Sequence, residues 1–206
     1  QTNFDYTVVD PVAKQEYVTT VANKTPLAEI IENPGEALKN SNESVSFPAD
    51  TTFSWVQAPD DAMLANPGVY TRKVKITLPQ GSYSGTANSR TVDVTIKVNP
   101  QAPVISVAST NETGGLPNRS IVVTNVTPGA LVTLTLAGHT FEKRAKDNET
   151  SVTFEPAKLQ DAYDGNNGLL PTGDVTVKQS KVFTNPSTGA NETLESATTT
   201  KTITQE

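Results

Sequence analysis

The chain has 206 residues, 35% of them apolar, which suffices for one large domain or for two of roughly a hundred residues each. Its 22 acidic and 16 basic side chains give a net charge of −6, which opposes binding to nucleic acid or to anionic lipid. No run approaches the ~18 to 20 consecutive apolar residues of a membrane span, and the N-terminus lacks the basic-then-apolar order of a signal peptide. The sequence therefore reads as a soluble internal segment, with no nucleic-acid partner and no membrane insertion.

Along the chain the dominant pattern is alternation of apolar or β-branched residues with polar ones, bounded by Gly, Pro and Asn, which predicts strands. Phe4 to Val9 and Tyr17 to Val21 read as the first two, joined by a turn around Asp10-Pro11. Residues 26–38 change character: Leu27, Ile30 and Ile31 share a helical face until Pro34-Gly35 interrupts it, so one or two short helical turns are expected. Phe53 to Val56 is a short strand with the only Trp. In the strand Tyr70 to Leu78, one face carries Tyr70, Arg72, Val74, Ile76 and Leu78, among which Arg72 is the odd member. Leu78-Pro79-Gln80-Gly81 reads as a turn. In Thr91 to Val98, Val92, Val94, Ile96 and Val98 oppose a polar face.

The segment Asn99-Pro100-Gln101-Ala102-Pro103 contains two prolines that remove amide donors, so a regular strand cannot run through it. It sets the domain boundary, dividing the chain into 1–99 and 100–206, and a stiff linker of this length suits a stalk. The second module restarts with strands at Val104 to Val107, Ser120 to Asn125, Ala130 to Ala137 and Thr140 to Lys143. It continues at Ser151 to Phe154 and Gly173 to Val182, and closes at Thr198 to Thr204. Between them, Pro156 to Tyr163 reads as a helix with Pro first and Gly165 just past its end, its Leu159 and Tyr163 packing on the sheet. The fold class expected is all-β: two tandem Ig-like β-sandwich domains with short helical turns.

The run Phe47-Pro48-Ala49-Asp50-Thr51-Thr52-Phe53-Ser54-Trp55, followed by Asn66-Pro67-Gly68-Val69-Tyr70, the strand Thr71 to Leu78, Pro79, Gly81 and the strand Thr91 to Val98, resembles the Rib domain. Rib domains are compact Ig-like repeats of Gram-positive cell-wall-anchored surface proteins. The chain departs from the family pattern at Leu78 and Gln80 in the turn, at Asp50, and by an insertion at Ser82 to Ser89. The second module is similar, more loosely, to Ig-like repeats of large staphylococcal and streptococcal surface proteins, through Ile121 to Gly129 and Gly173 to Val177. The resemblance implies a module displayed outside the cell on the bacterial wall. Its partners there would be neighbouring repeats and, in some members, a host matrix protein or glycan.

Composition agrees with export from a Gram-positive cell: no Cys, and one each of Met, Trp and His. Seven N-x-S/T triplets begin at Asn23, Asn42, Asn111, Asn118, Asn125, Asn148 and Asn191, as expected by chance where Asn and Thr abound.

The chemical inventory is thin. His139 follows Gly138 in an expected hairpin turn, no cysteine can serve as nucleophile, and no G-x-S-x-G or S-x-x-K pattern occurs, so no enzyme and no cofactor are expected. Asp161, Asp164, Asn166 and Asn167 offer oxygen ligands of the kind Ca²⁺ accepts, but a helix end followed by a turn explains the same residues. Asp60-Asp61 reads as a solvated loop pair. Lys73, Lys75 and Lys97, with Asn99 or Asn125, supply the residue types of an intramolecular Lys–Asn isopeptide bond.

The sharpest ligand candidate is Tyr70-Thr71-Arg72-Lys73. It resembles the Tyr-Thr-Arg strand of Siglec-like modules of serine-rich-repeat adhesins, where the Arg grips a sialic acid carboxylate. A guanidinium fork matches a carboxylate in a bidentate way. The same four residues are equally expected of a Rib-like strand, with the Arg stem packed at a sheet margin and its head in water. Two functions stay open: a non-catalytic stalk or adhesion module facing host matrix or a biofilm, and a sialoglycan lectin using Tyr70, Thr71 and Arg72.

Overall fold

A computed structural model describes residues 9–79, 88–106, 120–163 and 170–204. Strands account for 47% and helices for 11%, which makes the chain all-β. It divides into two compact units, one comprising Gln1–Val98 with Thr184–Glu192, the other Asn99–Phe183 with Thr193–Glu206.

In the first unit, β1 (Pro11–Ala13) pairs antiparallel with β3 (Leu38–Asn40). The expected turn at Asp10-Pro11 is therefore the start of a strand. Pro11 tolerates this because the first position of an edge strand needs no amide donor. The Asp10 N–H donates to Asn40 Oδ1 at 2.6 Å, and the Asp10 carbonyl accepts from the Ser41 N–H. A four-stranded sheet follows the order β2 (Tyr17–Thr20), β6 (Ser89–Asn99), β5 (Gly68–Thr77), β4 (Thr52–Trp55). The alternation of β5 and β6 becomes packing directly: Val74, Ile76, Val94, Ile96 and Val98 are wholly buried.

The expected helical turns form as a 3₁₀ turn at Thr25–Leu27, helix α1 (Ala28–Glu32) and a second 3₁₀ turn at Pro34–Ala37. They turn Leu27 and Ile30 into the core, and the α1 carbonyl of Ile30 accepts the Trp55 indole N–H at 2.9 Å. Asp60-Asp61 is not a loop pair. Asp60 caps helix α2 (Asp61–Leu64), its Oδ1 accepting the Met63 N–H at 2.8 Å, which satisfies one of the orphan donors of a helix N-terminus. Asp61, in the first turn, pairs with Lys24 at 3.1 Å.

In the second unit, β7 (Val104–Ser106), β8 (Ile121–Thr124) and β11 (Val152–Phe154) form one sheet. The other contains β10 (His139–Arg144), β9 (Leu131–Leu136), β12 (Gly173–Thr184) and β13 (Asn191–Glu195), with β14 (Thr199–Ile203) also on β12. Side chains from both sheets meet in one core, Ile105, Ile121, Val123 and Phe154 against Val132, Leu134, Val175 and Val177, so the unit is sandwich-like. His139 is not a turn residue. The turn is Ala137-Gly138, both at positive φ, a two-residue hairpin connection, and His139 opens β10 opposite Leu136. The expected helix over 156–163 is a run of turns followed by the short helix α3 (Gln160–Tyr163), with Leu159 fully buried. The expected strand at Phe4 to Val9, except Val9, and the turn residues Gln80-Gly81 lie outside the described residues.

Gln179 holds this unit's polar framework. It lies on β12 at a core-facing position, two and four residues beyond Val177 and Val175, and is 0% exposed. Its Nε2 donates to the carbonyls of Gln101 (2.7 Å) and Asn125 (2.9 Å), and its Oε1 accepts the Thr127 N–H (2.7 Å). Its backbone N–H donates to Ser196 Oγ and its carbonyl accepts the Ser196 N–H. One buried amide thus fixes the lead-in segment and the turn after β8 to the central strand. Gln179→Leu leaves the Gln101 carbonyl and the Thr127 N–H without their partner, while the Asn125 carbonyl keeps the bond from Gln101 Nε2 at 3.3 Å. At about 1 kcal/mol for each lost partner, we expect it to lower the second unit's stability by about 2 kcal/mol. Urea unfolding followed by circular dichroism will show an earlier transition than in the parent.

Candidate functional site

Residues 70–72 lie on β5, opposite Ile96, Thr95 and Val94 of β6. The Val56 N–H donates to the Lys73 carbonyl, so the N–H and C=O of Lys73, and by strand parity those of Thr71, point to the β4 edge. All three side chains are half-buried. Tyr70 packs its ring against Gly68, where a Cβ would come within 3.2 Å of Tyr70 Cζ, and its hydroxyl donates to the Asn66 carbonyl at 2.7 Å. Burial raises the Tyr70 phenol above its ordinary pKa, and the Arg72 charge opposes that rise. Thr71 Oγ1 shares a 2.6 Å hydrogen bond with Ser187 Oγ.

The Arg72 guanidinium lies 5.6 Å from the Tyr70 ring centroid, and its Nη1 donates to the Thr71 carbonyl at 3.3 Å. Its Nε is sealed from solvent and has no hydrogen-bond partner. The stem is thus packed at the sheet margin. The fork keeps donors unmet, but the side-on pair of Nε and Nη2 is not freely presented to solvent.

Lys97 faces a different neighbourhood. Its amine sits 2.9 Å from both Glu16 Oε2 and Glu192 Oε1, and only 18% of its side chain is exposed. The hydrogen bond to Glu16, then that to Glu192, raises its pKa against the opposing effect of burial. Lys73 is paired with Asp93 at 2.6 Å. Isopeptide formation needs a neutral amine as nucleophile, and the two carboxylates at Lys97 favour its ammonium form instead. Asn125 is exposed at a φ of 57°, with its carbonyl taken by Gln179.

Of the calcium candidates, Asp161 is exposed and lines an open concavity with His139, Phe141, Glu142 and Lys158, whereas Asp164, Asn166 and Asn167 lie outside the described residues. Among the described residues, no group of three or more His, Cys, Asp or Glu is placed to hold a metal ion. The His139 ring lies 6.3 Å from that of Phe141. Asn23, Asn42, Asn125, Asn148 and Asn191 of the N-x-S/T triplets are exposed.

Sequence reasoning missed Gln179 and the two-carboxylate setting of Lys97. The first had a signal, since Val175, Val177 and Gln179 alternate on one face and a polar residue at the third position requires buried partners. The second had none, because Glu16 and Glu192 are 176 positions apart in the chain. No protein-family model matches this chain.

Lys97 titrates with a raised pKa in the folded state, so its contribution to stability is complete below the unfolded value of about 10.4 and disappears as pH rises through the folded value. Lys97→Met is expected to cost about 1 kcal/mol at neutral pH. Urea titrations of parent and variant, read by Trp55 fluorescence, will converge as pH rises through the raised folded-state value and the parent lysine loses its proton.

Proposed function

We propose that the chain is a non-catalytic, extracellular module of a bacterial cell-surface adhesin. In this reading two tandem Ig-like β-sandwiches act as a stalk that spaces neighbouring repeats and a distal binding region away from the wall. The observation that carries it is the tie between Gln179 and the carbonyl of Gln101. A stalk module needs its connecting segment fixed to its own body, and a free linker would not provide that. The second support is the resemblance of residues 26–98 to Rib repeats. A third is that polar side chains suited to a ligand are engaged in structural contacts, Lys97 with two carboxylates and Thr71 with Ser187.

A second reading is favoured by one observation, the unpartnered Nε of Arg72. A buried unmet donor costs about 1 to 3 kcal/mol, and a carboxylate reaching the guanidinium after a small side-chain shift would relieve part of it. Sialoglycans carry such a carboxylate.

Two measurements separate these readings. Antibodies raised against the chain are expected to label intact producing cells and to lose that signal after brief external proteolysis; antigen accessible only after lysis would contradict surface display. On a glycan array the stalk reading predicts no sialic-acid-dependent signal. A signal abolished by Arg72→Ala and not restored by Arg72→Lys would replace it with the lectin.

A further inference from the structure

The segment that leads into the second unit is held by a ladder of side chains. Pro100 and Pro103 have no amide hydrogen, so this stretch cannot pair as an ordinary strand, yet its carbonyls still need donors. Three alternate carbonyls find them. Gln101 O accepts Gln179 Nε2 at 2.7 Å, Pro103 O accepts Thr199 Oγ1 at 2.5 Å, and Ile105 O accepts Lys201 Nζ at 3.4 Å. Residue spacing of two on one side of an extended segment aims all three carbonyls the same way.

Direction follows from the same pairs. Residue 103 lies by 199 and 105 by 201, so β7 and β14 advance in parallel, although no backbone ladder joins them among the described residues. The lead-in segment therefore starts at the end of this unit where β14 begins, and β14 runs to the other end, with Ile203 opposite Gly173. Both strands are anchored in the core through Ile105 and Ile203.

We infer that this ladder is a force clamp: when the chain is pulled from its two ends, the second unit is loaded in shear across the three carbonyl bonds. Tension draws the lead-in segment toward residue 99 and β14 toward residue 204, in opposite directions along one axis. The two bonds to β14 take this opposed load directly, and the Gln179 bond takes it through β12, which is paired to β14. A peeling force instead breaks strand pairs one after another. The clamp is a resistance to forced unfolding, governed by the unfolding rate under load and distinct from equilibrium stability. It goes beyond the stalk reading and is independent of it. Loss of the clamp would leave surface display intact, and an intracellular antigen would leave the clamp intact.

The chain contains no cysteine, so introduced thiols give unique handles. Single-molecule force spectroscopy on the whole chain compares two geometries at one loading rate. The shear geometry uses handles at Asn99→Cys and the C-terminus. The peeling geometry uses handles at the exposed Thr172→Cys and the C-terminus, which opens the β12–β14 ladder from the Gly173 and Ile203 pair. The expected unfolding force in shear is about twice the peeling force or more. The double variant Thr199→Val, Lys201→Met should bring the shear force down toward the peeling force and leave the latter unchanged. Equal forces in the two directions overturn the clamp, as does a double variant that lowers both alike or neither. Because the β7–β8 backbone ladder also resists the shear pull, the single variants Thr199→Val and Lys201→Met carry the same test where the double variant does not fold: a shear force that neither lowers overturns the clamp.

Discussion

Proline chemistry sets the constraint on which the second unit depends. Two prolines in five residues remove two of the lead-in segment's amide donors but leave its carbonyls, and buried carbonyls without partners are costly. The fold answers with side chains from strands that are far away in sequence: Gln179 from β12, and Thr199 and Lys201 from β14. Gln179 can do this only because β12 is long enough to serve two neighbours in turn. β14 lies beside residues 173–177, and Ser196, just after β13, bonds the backbone of Gln179. The core-facing side of β12 passes from apolar to polar where that change of neighbour occurs. There Lys181 Nζ, donating to the Pro128 carbonyl, continues the stitching of the 125–129 turn begun by Gln179.

The first unit follows the same logic at lower stakes. Its β5–β6 pair supplies an apolar face of Val and Ile, and the polar residues at its margins are consumed locally. Tyr70 and Arg72 lean on one another and on backbone carbonyls, and Lys97 is gripped by two carboxylates. Such contacts favour a module whose surface maintains its own structure. The unmet Nε of Arg72 is the exception, and for that reason the ligand question narrows to this one strand.

Much of the fold was legible because clean two-residue alternation with β-branched side chains directly reports a half-buried strand. β5, β6, β9 and β12 lie within two residues of their expected bounds. What escaped depends on tertiary partners. β13 reads Asn-Glu-Thr-Leu-Glu, in which Leu194 is the sole buried residue, so no alternation announces it. Asp10-Pro11 looks like a turn in isolation and becomes a strand because Asn40 is there to cap Asp10. Asp60-Asp61 is exposed, as expected of a solvated pair, but reads as a loop because the helix it caps has only four residues. At the candidate site, the sequence singled out Arg72 as the odd member of an apolar face. Which of its donors are sealed and which are spent on Thr71 is decided by packing, and no pattern of residues encodes it.

Gln179 fixes the lead-in segment and the 125–129 turn to the core of the second unit. The Thr127 amide tests it most directly, since its hydrogen bonds to Gln179 Oε1 in a turn with no regular ladder to protect it. Hydrogen exchange at this amide should be slowed to the rate of the unit's global opening, as for the amides of β9 and β12. Exchange at the rate of an exposed turn amide would contradict the account.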